Sequence, residues 1–155
     1  METPSLGRNL LWLDNDPEFR YLIQVFFKEA RKDITLVLAE SEQEVLDRVQ
    51  TEDIQAVVTN LMMSEMKGAV LVKILEDLII AGRWNGKIAM VTRDSKAALD
   101  YLGRNNVRRA EEIPIFSKPF RDNGLHRLLA QIGFGISSPV ALQSLATSPR
   151  GVGNA

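Results

Sequence analysis

The chain has 155 residues, 45% of them hydrophobic and 25% charged, the proportions of one soluble globular domain. A net charge of −1 leaves no electrostatic footprint for nucleic acid or a membrane surface. With no cysteine and a single histidine, His126, there is no basis for disulfides, thiolate metal sites, a cysteine nucleophile or a histidine-centred triad. No apolar run approaches the ~20 residues of a membrane span, and the N-terminus lacks the apolar core of a signal peptide. A cytoplasmic protein is the expectation. The three arginines within residues 104–109 are followed at once by Glu111 and Glu112 and read as solvated surface.

Residues 1–8 contain Pro4 and Gly7 and read as a disordered lead-in. The run at 9–13 is compact and apolar and ends in Asp14-Asn15-Asp16-Pro17, which predicts a buried strand and a polar turn. Asp16 is placed to cap the next helix, with Pro17 at its first position, where a missing N–H costs nothing. Phe19, Leu22, Ile23, Phe26 and Ala30 follow at helical spacing. A second strand is predicted at 35–39. Ser41 with Glu44 then matches a capping box, opening a helix with Val45, Leu46 and Val49 on its apolar side.

Residues 54–59 predict the third strand, a β-branched run reaching Asn60 and then Leu61-Met62-Met63. After Gly68, an amphipathic helix carries Leu71, Ile74, Leu75 and Leu78, broken by Gly82, Asn85 and Gly86. Trp84 in that loop reads as a packing plug. A fourth strand at 87–92 closes on a hydroxyl, Thr92, and Asp94 can cap the helix bearing Ala97, Ala98, Tyr101 and Leu102. The fifth strand is predicted at 113–117, on a sheet edge because Pro114 cannot donate to a ladder. Lys118-Pro119-Phe120 forms the turn after it, and Leu125, Leu128, Leu129 and Ile132 supply the last helical face.

Strands alternating with helices predict an α/β fold, a doubly wound five-stranded parallel sheet with helices on both faces. Right-handed crossovers reduce the topologies to a few. The domain is expected over 9–134, with residues 135–155, rich in Ser, Gly and Pro, as a flexible tail or a linker. Nothing after Phe134 has the periodicity of a DNA-binding output domain.

Such sheets gather their sites at the carboxyl ends of the strands. There this sequence delivers Asp14, Asn15 and Asp16 from strand one, Asn60 from strand three, Thr92 from strand four and Lys118 from strand five. One polar residue at a strand end simply meets solvent. Four such positions converging on one crevice mark a functional site.

These residues, with Asn60-Leu61-Met62-Met63, Gly68 and the Lys118-Pro119-Phe120 turn, resemble the receiver domain of bacterial response regulators over residues 9–134. The resemblance implies the flavodoxin-like strand order and a place in two-component or phosphorelay signalling rather than an enzymatic activity. It aligns Asn60 with the phosphoacceptor aspartate, and Asp14 and Asn15 with the acidic pair that holds Mg²⁺. Thr92 and Lys118 align with the hydroxyl and lysine that contact the phosphoryl group. Ile115 stands where an aromatic switch residue is usual, and alternation points the adjacent Phe116 to the other face. Arg93 stands where a small residue leaves the phosphodonor a path, and Ser64 replaces a familiar proline. The departures fall on the functional positions while the scaffold pattern is intact.

An amide at Asn60 is a poor nucleophile, so no acyl phosphate is expected there. Replacing two of three pocket acids by amides removes two charges, each worth on the order of 4 kcal/mol at about 4 Å. Mg²⁺ binding is therefore expected to be weak or absent, with no other cofactor. Asp14 is left able to pair with Lys118. The expectation is a pseudo-receiver that acts by contact with signalling proteins. Its surface would be the last two helices and strand five, with a homodimer as one form of that contact, and with no nucleic acid or membrane partner. Two alternatives stand beside it. One is phosphorylation at Asp14 or Asp16. The other is a flavodoxin-like binder of a small phosphorylated ligand, although the acidic, glycine-free first turn would repel an anion.

Overall fold

The computed structural model describes residues 8–60, 68–121 and 123–135. Strand β1 (Asn9–Leu13) leads to α1 (Pro17–Ala30), β2 (Thr35–Ala39), α2 (Glu42–Thr51) and β3 (Ala56–Asn60). Helix α3 (Gly68–Ile80), β4 (Lys87–Thr92), α4 (Ser95–Arg104), a 3₁₀ turn at Ala110–Glu112, β5 (Ile115–Ser117) and α5 (Gly124–Gln131) complete it. All pairings are parallel and the strand order is β2-β1-β3-β4-β5. This is the doubly wound, flavodoxin-like sheet that the sequence predicts. The expected lead-in and tail, together with Leu61, Met62, Met63 and Ser64, lie outside the described residues, apart from Arg8 and Gly135.

The sheet divides the core in two. Leu11, Leu13, Val57 and Met90 face α2, α3 and α4, whereas Leu10, Trp12, Val58 and Ala89 face α1 and α5. Both faces of the central strands are therefore dry, which is why they read as continuous apolar runs.

Local chemistry sets the helix starts. The Asp16 carboxylate accepts from the N–H groups of Glu18 (3.1 Å) and Phe19 (3.5 Å), with Pro17 at the first position of α1. Ser41 Oγ accepts from the Glu44 N–H at 3.1 Å, and the Glu44 carboxylate reaches back to the Glu40 N–H at 2.9 Å. That is one residue upstream of the reciprocal bond in an ideal capping box. Asp94 caps α4 through the Ala97 N–H at 3.0 Å. Trp84 plugs the loop before β4: its indole donates to the Ile54 carbonyl at 2.9 Å, and a side chain at Gly86 would collide with its ring.

Three details differ from the sequence reading. In α1, Phe27 is buried with Phe19 and Ile23, while Leu22 is 61% exposed and Ala30 lies in solvent. With apolar residues at both 22–23 and 26–27, periodicity does not choose between adjacent positions. Strand β3 begins at Ala56 rather than residue 54 and includes Asn60. Strand β5 is only Ile115–Ser117. Pro114 precedes it, although its carbonyl still accepts from the Met90 N–H at 2.9 Å. The edge position that the proline suggested is correct.

Candidate functional site

Register brings the rim residues to one level. Leu13 pairs with Thr59, and Asn60 with Val91, so Asp14, one residue beyond Leu13, lies level with Asn60. Thr92 pairs with Ser117, and the Lys118 N–H donates to the Thr92 carbonyl at 2.8 Å, fixing the start of the turn after β5. The Lys118-Pro119 peptide in that turn is cis. Asp14, Asn60 and Thr92 thus end three adjacent strands, and Lys118 arrives from the fourth.

Asp14 is fully buried, and the Lys118 ammonium lies 2.6 Å from its Oδ2, with the lysine side chain only 4% exposed. That ammonium is the sole partner of Oδ2 among the described residues. The other oxygen, Oδ1, accepts from the Asp16 N–H at 3.0 Å. Lys118 Nζ also sits 4.2 Å from the centre of the Phe19 ring, a cation–π contact that shields it from water. Phe19 packs in turn on Phe120 at 5.8 Å, so the aromatic residue of the lysine turn closes the cage. Arg20, one turn into α1, straps the ends of β1 and β2 together through the carbonyls of Asp14 and Ala39, both at 3.0 Å.

The remaining rim residues are placed less tightly. Asn60 is half-buried at the end of β3, and Asn15 is exposed on the turn after β1. Thr92 is buried, and its hydroxyl accepts from the Asp94 N–H at 3.1 Å, which turns it toward the start of α4. Arg93 is exposed and reaches across the mouth to Asp16 Oδ2 at 3.6 Å. Ile115 packs half-buried on the α2–α3–α4 side, and Phe116 packs on the α1–α5 side beneath the Arg127 guanidinium at 5.8 Å. The alternation read from sequence holds.

The described acids of this rim already have partners. One carboxylate is engaged on both oxygens, the neighbouring acid caps a helix, and the other positions carry amides. Among the described residues no group of three or more His, Cys, Asp or Glu side chains is arranged to hold a metal ion. Mg²⁺ asks for a near-octahedral oxygen shell, usually with one or two carboxylates, and of the described rim residues Asp14 and Asp16 carry the carboxylates, with Asp14 already paired to Lys118.

Sequence reasoning missed three contributors: Phe19 as the lysine's ring partner, Arg20 as the strap, and Glu76. The last is buried in α3, and its two carboxylate oxygens accept the N–H groups of Arg108 (2.8 Å) and Arg109 (2.9 Å), tying α3 to the segment after α4. A lone glutamate within an amphipathic helix carries no signal of that role. The arginine-rich loop 32 residues away gives no signal either, because the bonds go to its main-chain N–H groups.

Solved structures share this fold. Chemotaxis protein CheY4 of Vibrio cholerae is similar at 17% identity and a TM-score of 0.65, covering 81% of this chain and 98% of that one. A Francisella response regulator 1452 receiver domain is similar at 21% identity and a TM-score of 0.61, covering 81% and 97%. The receiver domain of the Saccharomyces cerevisiae response regulator Ssk1, crystallised with the histidine phosphotransfer protein Ypd1, belongs to a structure similar at 16% identity and a TM-score of 0.62, covering 81% and 86%. No curated protein matches the sequence. The response regulator receiver domain family matches residues 10–130, from the first strand to the last helix, and the chain belongs to that family.

Proposed function

We infer that this receiver domain works without aspartyl phosphorylation, as a signalling module that acts through the surface it presents. The observation that carries this reading is the Lys118–Asp14 pair at 2.6 Å beside Asn60. A phosphorylatable crevice needs a carboxylate nucleophile, and it needs positive charge available to the incoming phosphoryl group. Here the acceptor position holds an amide, and the lysine already neutralises a buried acid. The amide set also supports weak or absent Mg²⁺ binding, with the lysine taking the metal's electrostatic place.

The partner surface of this reading is the face formed by α4, β5 and α5. An open trough of about 410 Å³ runs along the β5 edge, with Phe116 and Phe120 on its floor and Arg121 and Arg127 at its margin. Leu99 on α4 is 51% exposed. A signalling protein or a second copy would dock there.

Phosphorylation at Asp14 or Asp16 is the weaker reading. Asp14 has no exposed surface and is held by Lys118, and Asp16 caps α1 and faces Arg93.

Intact-mass measurement after incubation with acetyl phosphate and Mg²⁺ tests the inference. The wild-type mass should not change, whereas Asn60→Asp should gain one phosphoryl group. A gain in the wild type, lost on substituting Asp14 or Asp16, would overturn it.

A further inference from the structure

The opposite edge of the sheet carries a feature outside the crevice and outside the α4–β5–α5 face. Strand β2 is a sheet edge. The Thr35 N–H donates to the Arg8 carbonyl at 2.8 Å, so the peptide groups of Thr35, and by alternation those of Val37 and Ala39, face β1. The N–H and C=O groups of Leu36 and Leu38 therefore point outward, and no strand among the described residues pairs with them. Their side chains lean the other way, onto the α1–α5 side of the core.

Beside this edge lies an open groove of about 590 Å³. Phe27, Ile34, Leu36 and Leu38 make its apolar floor, and Lys28 and Lys32 stand at its margin. Lys28 and Lys32 have no acid partner among the described residues. By contrast, Arg31 between them is buried and held by Asp33 at 2.8 Å. No acid lines the groove.

We propose that the β2 edge and this groove form a docking site for an extended segment of another protein, with alternating apolar residues and acidic flanks, which adds to the sheet as a sixth strand. Strand addition supplies main-chain hydrogen bonds to Leu36 and Leu38. Every second side chain of the incoming segment then falls into the groove, the usual division of affinity and specificity in this mode. Acidic flanks complement the two lysines. A second copy is the poorer occupant. A two-fold contact sets a patch against itself, and here that brings a lysine-bearing groove against a lysine-bearing groove.

The test uses a fluorescein-labelled synthetic peptide, Glu-Glu-Val-Thr-Val-Thr-Val-Asp-Glu, with a lysine-flanked version as control. Anisotropy should show saturable binding of the acidic peptide, weakening as salt rises, and at least about tenfold weaker binding of the control. Lys28→Glu with Lys32→Glu, both exposed changes, should reverse that preference. Leu36→Pro removes an outward N–H without breaking a ladder bond and should abolish binding while Trp fluorescence reports an intact core. Amide shifts in the NMR spectrum should centre on Leu36 and Leu38. Equal binding of both peptides, no binding of either, shifts centred on β5, or self-association that depends on Lys28 and Lys32 would each overturn the proposal. The last result would assign the edge to a second copy.

Discussion

Replacing Lys118 by methionine shortens the side chain by one atom and keeps much of its packing on Phe19 but removes the charge. Asp14 then remains, fully buried, with its Oδ2 facing no cation. The direct attraction lost is on the order of 6 kcal/mol for unit charges at this separation and an effective dielectric constant of about 20. Part of that is returned because the ammonium no longer has to be stripped of water, and breaking a buried pair by one partner typically costs about 3–5 kcal/mol. Lys118→Met should therefore lose about 3–5 kcal/mol. Asp14→Asn combined with Lys118→Met should recover most of it, because the uncompensated charge is gone. Urea unfolding followed by tryptophan fluorescence measures both, since Trp12 is fully buried and packs on Phe19 and Phe120 at 6.2 and 6.4 Å. A loss below about 1 kcal/mol for the single variant, or a double variant no more stable than the single, would refute the argument that Lys118 is the counter-ion the crevice depends on.

Other residues give further tests. Asn60→Asp places two carboxylates against one ammonium and should cost about 1 kcal/mol in chelator, partly restored by Mg²⁺; a neutral or stabilising effect in chelator would contradict the charge argument. Glu76→Ala removes an acceptor from two backbone N–H groups, each charge-assisted bond being worth about 1.5–3 kcal/mol. The Arg108 and Arg109 amides should then exchange much faster with solvent, with Glu76→Gln intermediate because it keeps one accepting oxygen. His126, packed on Phe26 at 5.1 Å, is held below its ordinary pKa of 6.5 by burial and, secondarily, by Arg31. The folded state therefore binds fewer protons than the unfolded chain as pH falls through about 6.5. Stability should be complete above that value, decline as pH drops through the folded pKa, and lose this component in His126→Phe. An unchanged pH profile in that variant would sink the assignment.

Much of the scaffold was legible because it is written in local chemistry. Asp16, Ser41 and Asp94 announce their helices by capping, and the apolar runs of β1 and β4 are what a two-sided burial demands. The rim residues were legible for a topological reason: in a parallel sheet every strand ends on the same side, so listing the strand ends lists the site. Partnership across the chain was less so. That Lys118 could meet Asp14 follows from topology, but that Phe19 would lie beneath its ammonium depends on how α1 packs over β1. Leu22 and Phe27 show the same limit on a smaller scale, since the choice between neighbouring apolar positions is made by α5 and the sheet, not by the period. Glu76 is the clearest miss, because its partners are main-chain groups, which leave no mark in the side-chain pattern.

A bound divalent ion stabilises a fold by an amount that grows with its free concentration and vanishes when it is chelated. The cation in this crevice is carried on the chain, at the end of the four methylene groups of Lys118, so it cannot be diluted, exchanged or sequestered. On the proposed reading, the charge balance of this crevice does not follow the magnesium in its surroundings, which a metal-dependent crevice must track.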